Sequence, residues 1–270
     1  MLRTRIYTVL VLLPLFVAAL FYATMGVWAL FLMPLLLVGA WEWGGLAQWR
    51  PTVRMIFAGC IGLGAGLLWQ FAGSDAPGAR VIGKICLGIG VLFWLAVVPV
   101  WLAKAWHVKT ASVLAVAGAV LLLPLWLALV QLHAQPRILI MLMAIVWLSD
   151  TAAYACGRIW GKHKLAVSIS PGKTWEGVFG ATLAVAVYYA LVSLSGLAVP
   201  PILQGFTGCA VFLLLMALGI EGDLFESWVK RTAGVKDSGS VFPGHGGVLD
   251  RIDALTASMP AAALLLSRAL

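Results

Sequence analysis

The residues best able to do chemistry lie in one stretch, Glu221 to Asp253 (EGDLFESWVKRTAGVKDSGSVFPGHGGVLDRID). It holds six of the chain's ten acids (Glu221, Asp223, Glu226, Asp237, Asp250 and Asp253), with Lys230, Arg231, Lys236, Arg251 and His245 among them. A helix over 221–231 puts Asp223, Ser227 and either Lys230 or Arg231 on one face. A helix starting at 250 puts Asp250 and Asp253 on one face. Between them runs a loop with Gly234, Gly239, Gly244, Gly246 and Gly247. Hard carboxylate oxygens select Mg²⁺, which is usually held by one or two carboxylates plus substrate phosphates. Glycines let backbone N–H groups come close to phosphate oxygens, and Lys and Arg neutralise what charge remains. The combination suits a metal-bound polyphosphate. The bland alternative is a wet interfacial loop whose acids and bases merely pair.

A second segment runs from Ser149 to Gly177 (SDTAAYACGRIWGKHKLAVSISPGKTWEG). Asp150 falls well inside an apolar run, where an acid is by default a sign of function. Tyr154 follows four residues on, on the same helical face. Lys162, His163 and Lys164 form a basic patch suited to phosphate or lipid headgroups, or serving only as an orientation signal. Ser170–Thr174 precedes a helix with Glu176 in its first turn, and free N–H groups at a helix start bind anions. Read without a ligand, the same residues are a plain turn and N-cap. The other acids are Glu42, near the end of an apolar run where it can reach water, and Asp75, on a short loop.

The elements that must position these residues are membrane helices. Of 270 residues, 63% are hydrophobic and 10% charged, with mean hydropathy +1.03. A soluble domain carries about 25% charged residues, so a soluble enzyme is excluded, and so is a disordered chain. A bilayer-crossing helix needs about 20 mostly apolar residues. Stretches of that kind occur at 6–24, 26–46, 55–73, 81–103, 110–132, 137–157, 174–195, 202–220 and 252–269. The expected fold is all-α and polytopic, with about nine transmembrane helices and no linker or repeat. Residues 1–270 form a single membrane-embedded domain, 1–136 as helical scaffold and 137–270 as the half carrying the site.

With the N-terminus inside, fourteen of the eighteen Lys and Arg fall on the inner side. The positive-inside rule then places the N-terminus in the cytoplasm. The chain is expected in the cytoplasmic (inner) membrane, with its site facing the cytoplasm. The net charge of +8 and pI of 9.6 reflect anionic lipid and orientation rather than nucleic acid. Cys60, Cys86, Cys156 and Cys209 form no CxxC pair and read as small buried residues.

The segment Ser227-x-Val229-Lys230-Arg231, then Lys236-Asp237-x-Gly239, then Phe242-Pro243-Gly244-His245-Gly246-Gly247-Val248-x-Asp250-Arg251-Ile252-Asp253 resembles the signature of the phosphatidate cytidylyltransferases, or CDP-diacylglycerol synthases. Asp150 with Tyr154, and Ser170-Pro171-x-Lys173-Thr174-x-Glu176-Gly177, add to the likeness. Gly172 stands where the family often carries a base. Specific resemblance covers roughly 149–253. It implies that CTP and phosphatidic acid give CDP-diacylglycerol and pyrophosphate. It also implies a divalent cation, usually Mg²⁺, a second cation such as K⁺, and a homodimer.

On this reading Asp223 and Asp250, one at each lip of the loop, bridge the metal, with Asp253 and Asp150 as further ligands. Lys230, Lys236 and Arg251 act in catalysis on the triphosphate or lipid phosphate. Arg231, Ser227, Ser170 and Lys173 bind substrate, and His245, Gly246 and Gly247 shape the phosphate cradle. The rivals are a CTP-dependent lipid kinase, which would release CDP, and a cation-coupled membrane transporter, for which inverted repeats are expected.

Overall fold

The computed structural model describes residues 2–72, 76–241, 244 and 246–267. Among them are nine long helices: α1 (Leu2–Tyr22), α2 (Met25–Leu46), α3 (Pro51–Ala72), α4 (Pro77–Ala103), α5 (Ala111–Leu132), α6 (Pro136–Trp160), α7 (Trp175–Leu194), α8 (Gly205–Thr232) and α9 (Leu249–Leu266). Each overlaps one of the nine expected stretches. Seven of them, α2 to α8, are long and apolar enough to cross a bilayer. Among the described residues of α1, Leu13–Tyr22 forms a shorter apolar helix, and the first turns of α9 carry Asp250, Arg251 and Asp253. The expected all-α polytopic architecture therefore holds. Seven of the nine expected spans meet the criterion.

One departure from all-α is a small antiparallel hairpin, β1 (Lys164–Ala166) paired with β2 (Ser170–Thr174). The turn expected over Ser170–Thr174 is instead a strand, and it leads directly into α7. Its last residue does cap the helix, because the Thr174 hydroxyl accepts the Gly177 N–H at 3.1 Å.

Proline interrupts these helices without ending them. Pro14, Pro34, Pro124 and Pro260 all lie inside helices, as membrane helices permit. In α4 the ladder widens to a π turn over Phe93–Val97, where the Val98 N–H reaches back to the Phe93 carbonyl. Pro99 lies just beyond. It has no N–H to give and its ring crowds the carbonyl four residues back, so the wider turn falls where the helix must adapt.

α5 and α9 form the centre. α9 packs on α8, α5, α4 and α6, while α5 packs on α2, α3, α4 and α9. Two indoles staple α2 to α5: the Trp28 Nε1–H donates to the Leu129 carbonyl at 3.0 Å and the Trp43 Nε1–H to the Leu114 carbonyl at 2.8 Å. Phe225 of α8 sits among Trp43, Phe93, Trp94 and Trp101. The outward faces stay apolar, as with Leu63, Leu67, Val116, Leu183 and Leu191, because lipid rather than water surrounds them. All four cysteines are free. Cys60 is exposed and the other three are half-buried, which corrects the expectation that they are buried.

Small residues let helices approach closely, as is usual between membrane helices. The most consequential case is Gly222 in α8: a Cβ there would lie 2.5 Å from the Asp253 carbonyl oxygen of α9. The two acid-bearing helices thus touch backbone to backbone beside Asp223 and Asp253. Gly222→Val should cost about 1–3 kcal/mol through overpacking and lower the melting temperature in detergent. Gly88→Ala, with open space at its Cβ, should leave it unchanged or raise it. Equal stability of the two variants would refute the close α8–α9 contact.

Candidate active site

The two segments meet. α8 continues as one helix well past residue 220, so the face predicted for 221–231 forms, and the Ser227 hydroxyl donates to Asp223 Oδ1 at 3.3 Å. α9 starts at Leu249 and carries Asp250 in its first turn. β2 brings Lys173 alongside: its ammonium lies 2.7 Å from Asp223 Oδ2 and donates to the Ile220 carbonyl at 3.4 Å. α6 contributes Asp150, which interacts electrostatically with both Asp223 and Lys173. Asp253 feels the charges of Asp223, Glu226 and Asp150. Acids from three helices, with one strand lysine, therefore lie close together where these elements pack.

Lys230 is the deepest cation of the cluster. Its ammonium lies 2.6 Å from Glu226 Oε2 and 2.6 Å from Asp250 Oδ1. Its side chain is 11% exposed and both carboxylates are 6% exposed. The other Asp250 oxygen, Oδ2, accepts the Ser238 N–H at 2.9 Å, the Ser238 hydroxyl at 3.0 Å and the Gly247 N–H at 2.8 Å. Asp250 therefore ties α9 to α8 through Lys230 and also fixes the loop before α9.

The glycines make room for this arrangement. Gly246 has φ +82°, a region that favours glycine, and a Cβ there would lie 2.7 Å from Asp250 Oδ2. A Cβ on Gly247 would lie 2.5 Å from both carboxylate oxygens of Glu42. Here the Gly247 N–H serves a carboxylate of the protein itself.

Arg231, Lys236 and Arg251 are exposed, and an Arg231 N–H donates to the Val235 carbonyl at 3.3 Å. Ser170 lies in β2, and Ala166 is its partner across the hairpin. His163 is engaged by Glu176, whose carboxylate accepts from the His163 backbone N–H at 3.2 Å and lies 2.7 Å from its Nδ1. Tyr154 accepts from Arg158 at 2.8 Å. His245, Phe242 and Pro243, like Asp75, lie outside the described residues.

Glu42 departs from the expectation that it reaches water. It is 2% exposed. Its Oε1 accepts the Val248 N–H at 3.0 Å, and its Oε2 accepts the Leu249 N–H at 2.9 Å and the Ser238 hydroxyl at 3.0 Å. The helical scaffold half thus contributes directly to the site. A sequence signal existed, since an acid inside an apolar run is expensive to keep, but nothing local pointed to a partner more than 200 residues away.

The donor set fits a hard divalent cation. Asp150, Asp223 and Asp253 offer oxygen ligands, and Glu226 Oε1 is buried with no hydrogen-bond partner, whereas both oxygens of Asp250, expected to bridge the metal, are already engaged by Lys230, Ser238 and Gly247. Among the described residues no three Asp, Glu, His or Cys side chains close on one point. Holding Mg²⁺ here would therefore need one or two carboxylates together with substrate phosphates.

The two lysines should separate on mutation. Lys230→Ala leaves two buried carboxylates without their cation and should cost about 3–5 kcal/mol, read as a lower melting temperature. The Lys173–Asp223 pair is more open, with side chains 21% and 33% exposed, so Lys173→Ala should cost about 1 kcal/mol or less. Equal losses would contradict the depth assigned to Lys230.

Comparison with known proteins identifies the family. The chain matches the cytidylyltransferase family over residues 3–268. It is 38% identical to the phosphatidate cytidylyltransferase of Pseudomonas aeruginosa over 274 residues, covering 98% of this chain and 97% of that one. It is 34% identical to the phosphatidate cytidylyltransferase of Haemophilus influenzae, covering 96% of each. Identity reaches 50% with the Brucella suis protein of the same name over 128 residues, 47% of this chain and 44% of that one. The match over residues 3–268 and the 38% identity over nearly the whole of both chains place this chain in the cytidylyltransferase family.

Proposed function

We propose that this protein transfers the cytidylyl group of CTP to phosphatidic acid, giving CDP-diacylglycerol and pyrophosphate in phospholipid synthesis. The observation that carries the reading is the packing of α6, β2, α8 and α9 around one cluster of carboxylates and lysines, in a chain matched to the family over residues 3–268.

A lipid phosphate oxygen attacks the α-phosphorus of CTP. A P–O bond forms there as the bond between the α- and β-phosphates breaks, and pyrophosphate leaves with the electron pair. The attacking phosphate is already anionic, so no covalent enzyme intermediate is needed. What the protein supplies is position and charge. The exposed Arg231, Lys236 and Arg251 are assigned to the phosphates of CTP and lipid. Lys173 exchanges its contact with Asp223 for a substrate phosphate. Lys230 offsets part of the charge of the buried Glu226 and Asp250 and so keeps the acid-bearing helices at fixed spacing.

Asp223, Asp253 and Asp150, with Asp250 behind them, are the residues assigned to hold Mg²⁺, which when bound stabilises charge on the transferring phosphoryl oxygens. K⁺ as a second cation and assembly with a second copy of the chain belong to the same reading. The bias of Lys and Arg supports a cytoplasmic N-terminus and a site on the cytoplasmic side of the inner membrane, where CTP in water meets lipid in the bilayer.

Purified protein given CTP, phosphatidic acid and Mg²⁺ should release pyrophosphate in step with CDP-diacylglycerol. Release of CDP would identify a lipid kinase instead. Neither product, with ion flux in proteoliposomes, would identify a transporter.

A further inference from the structure

We infer that Glu42 is a positioning residue for this reaction, holding the start of α9 and Ser238 in the arrangement that presents Asp250 and Asp253. The inference rests on the cytidylyl-transfer reading for its kinetic effect, while its structural content stands apart from that reading.

Glu42 lies near the end of α2, a helix fixed by the Trp28 and Trp43 staples to α5. The first N–H groups of any helix lack partners within it, and a carboxylate there also complements the helix dipole. In α9 that carboxylate comes from another helix: Glu42 takes the N–H groups of Val248 and Leu249, one on each oxygen. Its third donor, the Ser238 hydroxyl, lies 3.0 Å from Glu42 Oε2 and also 3.0 Å from Asp250 Oδ2. A hydroxyl carries one proton, so the two carboxylates share a single donor and their positions are linked. From Asp250 the chain of contacts continues to Lys230 and Glu226.

The packing leaves little freedom. A Cβ on Gly239 would lie 2.8 Å from the Glu42 carboxyl carbon, and one on Gly247 would meet both its oxygens. Two glycines of the loop are thus seated on the Glu42 carboxylate. A glutamine at 42 would keep the volume but turn an NH₂ toward backbone N–H groups, donor against donor. The end of α9 and the loop would then lose their fixed point, and displacement of a reacting constellation by about 1 Å can cost on the order of 10²-fold in rate.

The test compares Glu42→Gln, Ser238→Ala and the double variant with the unaltered protein in detergent. Amide hydrogen exchange and turnover of CTP with phosphatidic acid are both measured. Glu42→Gln should speed exchange in peptides covering 236–250 while leaving α5 peptides unchanged. It should also lower kcat by about 10- to 100-fold and raise the Mg²⁺ concentration needed for half-maximal rate. Ser238→Ala should act in the same direction, and the double variant should lose less than the product of the two single losses, because the residues work through one network.

Unchanged exchange over 236–250 would overturn the inference. So would faster exchange throughout the molecule, which would mean that Glu42 merely holds the fold, or a kcat within about twofold of the unaltered protein where effects of 10- to 100-fold are expected. Lack of transfer by the unaltered protein would count against the proposed function alone, with the exchange pattern still deciding the role of Glu42.

Discussion

A carboxylate buried in this chain is costly unless donors meet it, because lipid and apolar side chains offer none. The Lys230 ammonium between Glu226 and Asp250 is where that requirement is most concentrated. One cation on α8 holds an acid of its own helix and an acid of α9, so the spacing of the two helices and the partial charge balance of their contact come from the same pair of bonds. Removing the cation would leave two charges stranded, whereas replacing the whole group with apolar residues would be tolerated by the fold and would erase the site.

Beyond that contact the arrangement is a series of dependent positions. Gly222 lets α8 and α9 touch. Phe225, one turn on, locks α8 among aromatic rings from α2 and α4. β2 rides on the start of α7 and delivers Lys173 to Asp223. Because Glu42, Asp223 and Asp250 are fixed by backbone donors or by a cation, they have little reorganisation left for the moment of reaction, which is the property that makes polar sites in a low dielectric effective.

Much of this was legible in the sequence, for identifiable reasons. Helical periodicity put Asp223 with Ser227 and Asp250 with Asp253, and those pairings rest on local geometry that survives into the fold. Hydropathy located the helices, because apolar length is a direct requirement of the bilayer. It placed the end of the eighth stretch at 220, whereas α8 runs to Thr232, since a polar amphipathic extension does not register as apolar. The hairpin at 164–174 was missed, as its short strands are set by pairing rather than by composition. Glu42 was underrated for a similar reason: its partners, Ser238, Val248 and Leu249, are distant in sequence and two of its bonds go to backbone N–H groups, which leave no residue signature.

The length of α8 has one more consequence. At about 1.5 Å per residue its 28 residues rise roughly 42 Å, against a hydrocarbon layer about 30 Å thick. A rod longer than the slab it crosses must tilt or protrude, and the surplus of some two turns is the part that carries Glu226, Lys230 and Arg231. The helix therefore works as a gauge of altitude. It lifts its charged end to the level of the headgroups, where a molecule diffusing in two dimensions meets one arriving from three.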